Sequence, residues 1–342
     1  MRYPDFLKDG GRIGFIAPSF GCTLEPYRER FIRALSHFKE KGYETVLGPN
    51  CFRDDGVGIS STPENCALEV NEFFAGDDCD VIISCGGGEL MCEILPFVDF
   101  RKLAVSRPKW FVGYSDNTNL TFLLNTLCDT ASLYAPCASD YLFEEAPEYV
   151  NDAFAMLKGS KSKVHNYGGW FKRVFNAYTG CEREIAIPYR QYIYAGSKPQ
   201  ETAEFTGRLI GGCLDCLANL VGTAFDKTTD YIERYRDDGF IWFIESCDLS
   251  VMGIRRALWQ MQQAGWFKYV KGFLIGRPYR FDDTFGDLDH YEAVLGILDK
   301  YKVPIIMDVD IGHLSPKMPV VSGACARVCA RGNEFNMEYE FR

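Results

Sequence analysis

No apolar run in this chain nears the ~18 residues that a membrane-spanning helix requires, so no span is expected in its 342 residues. Lys and Arg form no block, and the formal net charge is −10. That balance argues against a nucleic-acid polymer or an anionic membrane surface as partner, while leaving room for a small substrate in a local pocket. Residues Met1 to Lys8 hold no apolar signal core, so the cytoplasm is the expected compartment. Histidine is scarce, with four in all, whereas cysteine is not, at 14. Only Cys213-Leu214-Asp215-Cys216 has Cys-x-x-Cys spacing, and no second pair of Cys or His matches it, so no metal site is expected. Scattered thiols such as Cys85, Cys128, Cys247, Cys325 and Cys329 sit in apolar segments and read as reduced core residues. Gly86-Gly87-Gly88 lacks the Gly-x-Gly-x-x-Gly spacing of a dinucleotide site, which disfavours an oxidoreductase and its cofactor.

What is present is an ordinary globular composition, 47% apolar and 25% charged, over a length that accommodates two cores. Residues 1–140 alternate strand-like and helical segments. Arg12 to Ala17 reads as a buried strand, Glu25 to Lys41 as a helix, and Ser61-Thr62-Pro63-Glu64 as a capping box opening a helix to Phe74. Val81 to Ser84 is the next strand, followed by the glycines and a helix from Glu89 to Leu95. Such alternation predicts a flavodoxin-like, doubly wound parallel sheet. Residues 141–204 lose the pattern and are dense in rings: Tyr167, Trp170, Phe171, Phe175, Tyr178, Tyr189, Tyr192 and Tyr194, punctuated by Gly159, Gly180 and Pro188. This stretch reads as a connector with an elaborated loop, whose rings pack it down or wall a flat substrate group. Residues 205–342 resume as a second α/β domain with some antiparallel strands toward Phe341. Cys213 and Cys216 are placed there in the first turn of a helix after Gly211-Gly212.

The most informative segment is strand, sharp turn and helix: Lys109 to Val112, then Gly113-Tyr114-Ser115-Asp116, then an apolar helix from Asn117 to Leu127. A turn of that kind presents one hydroxyl at the carboxyl edge of a sheet, beside the N–H groups of a helix start. It departs from Gly-x-Ser-x-Gly, because Asn117 stands at the second glycine. A serine at a helix start is also a common cap, so Ser115 needs a base and a group to orient that base. Among the histidines, His37 lies in an amphipathic helix, His165 in the connector and His290 at a helix start. His313 follows the strand Val303 to Val309 in the loop Asp310-Ile311-Gly312-His313, where a strand-end catalytic group belongs. Glu245 ends the apolar run Phe240 to Ile244 and is the leading carboxylate, with Asp248 and Asp308 as competitors.

Several motifs occur together: Gly11-Arg12-Ile13-Gly14 with Ala17-Pro18-Ser19, Gly86-Gly87-Gly88 with Leu95-Pro96, and Gly113-Tyr114-Ser115-Asp116. Gly207-x-x-x-Gly211-Gly212, Ile244-Glu245, Gly276-Arg277-Pro278, Gly312-His313 and Val321-Ser322-Gly323-Ala324 follow. With these the chain resembles the LD-carboxypeptidases and their relatives, the microcin C immunity peptidases, over nearly its whole length. The resemblance implies a Ser115–His313–Glu245 triad in a cleft between two domains. It implies an oxyanion site built from the backbone N–H of Asp116 and of Gly87 or Gly88, no cofactor, and a homodimer. Gly86-Gly87-Gly88-Glu89 replaces the Gly-Gly-Tyr-Gly of typical carboxypeptidase members, and the connector is longer than in the murein-recycling ones. Both features look more like the immunity branch, which cleaves amide bonds in aminoacyl or peptidyl nucleotides; Trp170 is the candidate ring for stacking on the base. The alternatives are release of a terminal D-amino acid from murein peptides and, from another class, a non-catalytic binding protein. The presence of all three triad members weighs against the last.

Overall fold

The computed structural model describes residues 1–143, 146–176 and 181–342. The chain opens with β1 (Arg12–Ile16), α1 (Tyr27–Glu40), β2 (Glu44–Leu47), α2 (Pro63–Ala75), β3 (Val81–Ser84), α3 (Phe100–Val105), β4 (Phe111–Gly113), α4 (Thr118–Cys128) and β5 (Ser132–Tyr134). It continues through α5 (Glu148–Leu157), β6 (Lys163–His165), β7 (Gly169–Asn176), β8 (Cys181–Pro188), β9 (Tyr192–Ala195), β10 (Lys198–Gln200) and β11 (Thr202–Cys213). Then come α6 (Leu214–Leu220), α7 (Thr228–Arg234), β12 (Phe240–Glu245), α8 (Val251–Gln263), β13 (Val270–Gly276), α9 (His290–Leu298), β14 (Ile305–Val309), β15 (Val320–Ser322), β16 (Cys325–Arg331) and β17 (Glu334–Glu340).

The first sheet has the order β15-β5-β4-β3-β1-β2. Strands β2, β1, β3, β4 and β5 are parallel, the 2-1-3-4-5 arrangement of flavodoxin-like folds. Helices cover both faces, so β3 is buried along its whole length rather than alternating. α1 turns Phe31, Ala34, Leu35 and Phe38 inward at helical spacing. Two local expectations shift. The cap of α2 is Thr62, whose side chain accepts from the N–H of Asn65, while Ser61 accepts from the Asn65 amide. The helix expected at Glu89 begins at Met91 as a 3-10 turn, because the Glu89 and Leu90 N–H groups reach across to the carbonyl of Gly58.

The second sheet has the order β10-β9-β14-β13-β12-β11-β16-β17-β6, with β11 to β14 parallel and antiparallel strands on both sides. Residues 141–204 feed it at both edges, through β6 at one and β9 with β10 at the other, while β7 and β8 form a separate hairpin. Tyr178, Gly180 and the ring of Phe175 lie outside what is described. One apolar cluster joins Phe15, Val112 and Leu133 of the first sheet to Leu209, Ile241, Phe243 and Ile306 of the second. Among the described residues no helix is long and apolar enough to cross a membrane.

Candidate active site

The carboxyl ends of β4, β12 and β14 converge. β4 ends at Gly113, and two residues later Ser115 takes φ = +62°. That left-handed conformation costs a residue with a Cβ about 1–2 kcal/mol, so the surroundings must hold it. Asn117 does so from one side, its amide donating to the carbonyls of Gly86 (2.8 Å) and Tyr114 (3.1 Å). Tyr134 does so from another: the Ser115 N–H donates to its hydroxyl at 3.1 Å. Asp116 anchors the turn below, accepting from the Ser19 hydroxyl (2.5 Å), the Met91 N–H (2.9 Å) and the Asn119 amide (3.0 Å). Burial pushes the Asp116 carboxyl up, and these donors oppose the shift.

Ser115 Oγ lies 2.8 Å from His313 Nε2, and His313 Nδ1 lies 2.8 Å from Glu245 Oε2. Glu245, 1% exposed, also accepts the Tyr134 O–H at 2.5 Å. Burial alone would raise the Glu245 carboxyl, but His313, Tyr134 and Cys213 together hold it below its ordinary value. Burial alone would lower the His313 imidazole; the Glu245 carboxylate and the Cys247 thiol beside it reverse that and raise it. The loop carrying His313 is pinned by Arg277, 1% exposed, which donates to the Asp308 carbonyl (2.7 Å) and pairs with Asp310. Asp310 in turn accepts the Tyr167 N–H at 2.7 Å. At Gly312, with φ = +115°, a Cβ would lie 2.8 Å from Glu245 Oε2, so only glycine lets the loop pass so close.

A Cβ on Gly87 would stand 3.4 Å from Ser115 Oγ, which places the glycine-loop backbone against the hydroxyl. The cleft around Ser115 has three lobes. One of about 430 Å³ runs past Phe20, Cys22, Tyr27 and Gly86 to Gly88. One of about 420 Å³ reaches from His313 to Tyr149, Tyr167, Phe171 and Tyr279. A third of about 300 Å³ lies between Ser115 and residues 247–249.

Among the sequence candidates, Ser115, His313 and Glu245 meet, and Gly87, Gly88 and Asp116 border them. The competing carboxylates do not: Asp308 accepts from Tyr291 and His290, and Asp248 is exposed. Trp170 does not border the cleft. It is 5% exposed, its ring 4.9 Å from that of Phe281 and 5.2 Å from the Arg277 guanidinium. Successive strand residues face opposite ways, so its neighbour Phe171, 49% exposed, is the one that lines the aromatic lobe. Cys213 and Cys216 stand where α6 begins, with Cys216 Sγ 3.7 Å from the Ser115 carbonyl. Tyr134 escaped the sequence reading, although its place at the end of a strand is the same signal that marked Glu245. Among the described residues Glu148, Asp152 and His165 are the one group of metal-ligating types whose ligating atoms all lie within 4.8 Å of one another, and Asp152 is already engaged by Lys161 and the Tyr167 hydroxyl.

Comparison with known proteins agrees with this architecture. Residues 13–135 match the LD-carboxypeptidase N-terminal domain and residues 206–328 the LD-carboxypeptidase C-terminal domain. The microcin C7 self-immunity protein MccF of Escherichia coli is 26% identical over 93% of this chain and 90% of its own length. A Bacillus subtilis protein named "probable murein peptide carboxypeptidase" is 24% identical over 94% and 90%. In fold, the chain is similar to an MccF-like protein from Bacillus anthracis (TM-score 0.80, 22% identity, 99% of this chain and 100% of that one). It is likewise similar to MccF in complex with glutamyl sulfamoyl guanosine (TM-score 0.77, 22% identity, 99% and 98%). With both domain models matched in order along one chain, this protein belongs to the LD-carboxypeptidase family of peptidases, the S66 peptidases.

Proposed function

We propose that the chain is a serine hydrolase that cleaves an amide bond through an acyl-enzyme on Ser115, acting on aminoacyl- or peptidyl-nucleotide conjugates. The observation that carries the chemistry is the unbroken line from Ser115 Oγ through His313 to Glu245, both steps 2.8 Å. Ser115 Oγ attacks the substrate carbonyl as His313 Nε2 takes its proton. The backbone N–H groups of Asp116 and Gly87 stabilise the oxyanion. The C–N bond breaks, the amine leaves with the proton from His313, and water repeats the attack on the ester with the same base. Glu245 keeps the Nδ1–H tautomer and balances the imidazolium. The conjugate reading rests on the aromatic lobe beside His313, where Phe171 and Tyr279 offer faces to a flat leaving group, and on the aminoacyl-nucleoside ligand named for the MccF complex.

The test is cleavage followed by mass spectrometry, with wild type beside Ser115→Ala. Both are offered an aminoacyl-sulfamoyl adenosine and a murein tetrapeptide. Release of the amino acid from the nucleoside by wild type alone is the expected result. Loss of a terminal D-residue instead would make the protein a murein carboxypeptidase and overturn the conjugate reading. Unchanged turnover in Ser115→Ala would overturn the mechanism.

A further inference from the structure

Two backbone segments meet beside the Ser115 hydroxyl. The nucleophile turn brings the Asp116 N–H, and the glycine loop brings those of Gly87 and Gly88. Among the described residues these three N–H groups donate to no protein acceptor. Gly87 and Gly88 border the lobe that touches both Ser115 and His313. Donors aimed at a developing oxyanion act only at the right spacing, so whatever separates the two segments bears on the chemistry.

Residues 86–88 belong to no helix or strand, and their position rests on tethers from elsewhere. The Ser84 hydroxyl and the Asn117 amide donate to the Gly86 carbonyl at 2.9 and 2.8 Å, and the Phe20 N–H donates to the Gly87 carbonyl at 2.9 Å. In a planar trans peptide the N–H points opposite the C=O, so these bonds also orient the Gly87 and Gly88 N–H groups. The gap between loop and turn is filled by Ser19, which is wholly buried. A Cβ on Gly88 would come within 2.0 Å of the Ser19 hydroxyl oxygen, and that hydroxyl donates to Asp116 Oδ2 at 2.5 Å. The same Oδ2 accepts the Met91 N–H at 2.9 Å, just past the glycine loop.

Ser19 stands on a mount of its own. Its carbonyl accepts the Ser60 N–H at 2.7 Å, and two residues earlier the Ala17 N–H donates to the buried Glu69 carboxylate at 2.9 Å. Serine meets both demands of the place: its oxygen fills the space beside Gly88, and its proton goes to Asp116.

Resting on the hydrolase reading above, we propose that Ser19 is a positioning residue for the oxyanion site, its hydroxyl spacing the glycine loop from the nucleophile turn. Buried as it is, it acts through Gly88 and Asp116 and not on the substrate. Ser19→Ala lets the loop close on the vacated space, whereas Gly88→Ala drives it the other way.

The test reads the oxyanion site without the natural substrate. An alkyl fluorophosphonate is added to the protein: the Ser115 Oγ–P bond forms, the P–F bond breaks, fluoride leaves and His313 takes the serine proton. The phosphoryl oxygen takes the oxyanion's place. Intact-mass spectrometry gives the rate, and peptide mapping places the adduct. Ser19→Ala should slow labelling at least about tenfold, within the ~10²-fold that a displacement of about 1 Å can cost. Its pH midpoint should match wild type, because the base is untouched. Gly88→Ala should also slow labelling. In the double variant the new methyl takes the place of the lost oxygen, with nearest contacts of 3.1 Å to the Phe20 nitrogen and 3.2 Å to the Ser19 Cβ. It should therefore label faster than Gly88→Ala alone, a coupling that independent sites do not show. A wild-type rate in Ser19→Ala, a shifted midpoint, or single effects that simply multiply in the double variant would overturn the proposal. Slowing matched by loss of the native circular dichroism signal would make the role structural and overturn it as well. A wild type left unlabelled at Ser115 would overturn the hydrolase reading, and this proposal with it.

Discussion

Tyr134→Phe removes one oxygen that joins two parts of the candidate triad. The hydroxyl accepts the Ser115 N–H at 3.1 Å and donates to Glu245 Oε1 at 2.5 Å. The ring is 2% exposed and packs 5.4 Å from that of Phe243, so phenylalanine keeps the apolar contact. Losing the hydrogen bond to a buried carboxylate costs about 1.5–3 kcal/mol, and the stranded Ser115 N–H about 1–3 kcal/mol. The two share one atom and overlap, so a loss of about 3 kcal/mol in unfolding free energy is expected. If half of that reaches the transition state through a looser Ser115 turn, turnover falls about tenfold. A purely structural role would stop there. The link to Glu245 adds a second readout: with one donor fewer the carboxylate is more basic, His313 holds its proton more tightly, and the rising limb of kcat/KM moves to higher pH. Steady-state kinetics across pH, with denaturant unfolding of the same protein, measure both. Wild-type kcat together with an unmoved pH profile would refute the idea that Tyr134 couples nucleophile and acid.

Three further outcomes are expected. Ser115→Ala and His313→Ala should each remove turnover by several decades with folding near wild type, while Ser115→Gly, free of the strain at φ = +62°, should be more stable than Ser115→Ala by about 1 kcal/mol, as read from chemical denaturation. The His313 imidazole is raised by Glu245 against the effect of burial, and it acts as a base only after losing its proton. Activity should therefore climb with pH through a midpoint above the ordinary ~6.5, and Glu245→Gln should lower that midpoint as well as the rate. The same proton links to stability. The contribution is full below the unfolded value and is lost as pH rises through the folded one, which thermal unfolding of wild type against His313→Ala would detect. Finally, Gly312→Ala puts a Cβ 2.8 Å from Glu245 Oε2; it should cut kcat at least tenfold with a native circular dichroism spectrum, and an unchanged kcat would show that the loop can yield.

The parts legible in the sequence were those carried by local pattern. The strand–turn–helix around Ser115 announced itself through an apolar run, a glycine and a second apolar run. Scarcity singled out His313, and Glu245 stood at the end of an uninterrupted buried strand. What stayed hidden depends on pairings far apart in sequence. β6, β9 and β10 are only three or four residues long with few buried positions, so no periodicity marks them, and their partners lie more than 100 residues away for β6 and β9. Tyr134 reaches Glu245 across 111 positions, a contact that no local rule anticipates. Trp170 was the ring expected to stack, but the two-residue repeat of β7 decides which side faces the cleft, and that phase depends on what the hairpin packs against.

The edge strand β15 has a consequence for how the protein comes into being. Val320–Ser322 pairs with β5, and the Ser322 hydroxyl donates to Asn125 on α4 at 2.5 Å, bracing the helix that begins just after Ser115. A ribosome making roughly 5–20 residues per second needs some 10–40 s for the about 200 residues separating that serine from its distant brace. During that interval the nascent first half has an open sheet edge, and Ser115 lacks His313, the base proposed for it. Sheet closure and arrival of the proposed base thus fall nearly together in translation, so a chain cut short midway carries an exposed edge and a serine without His313.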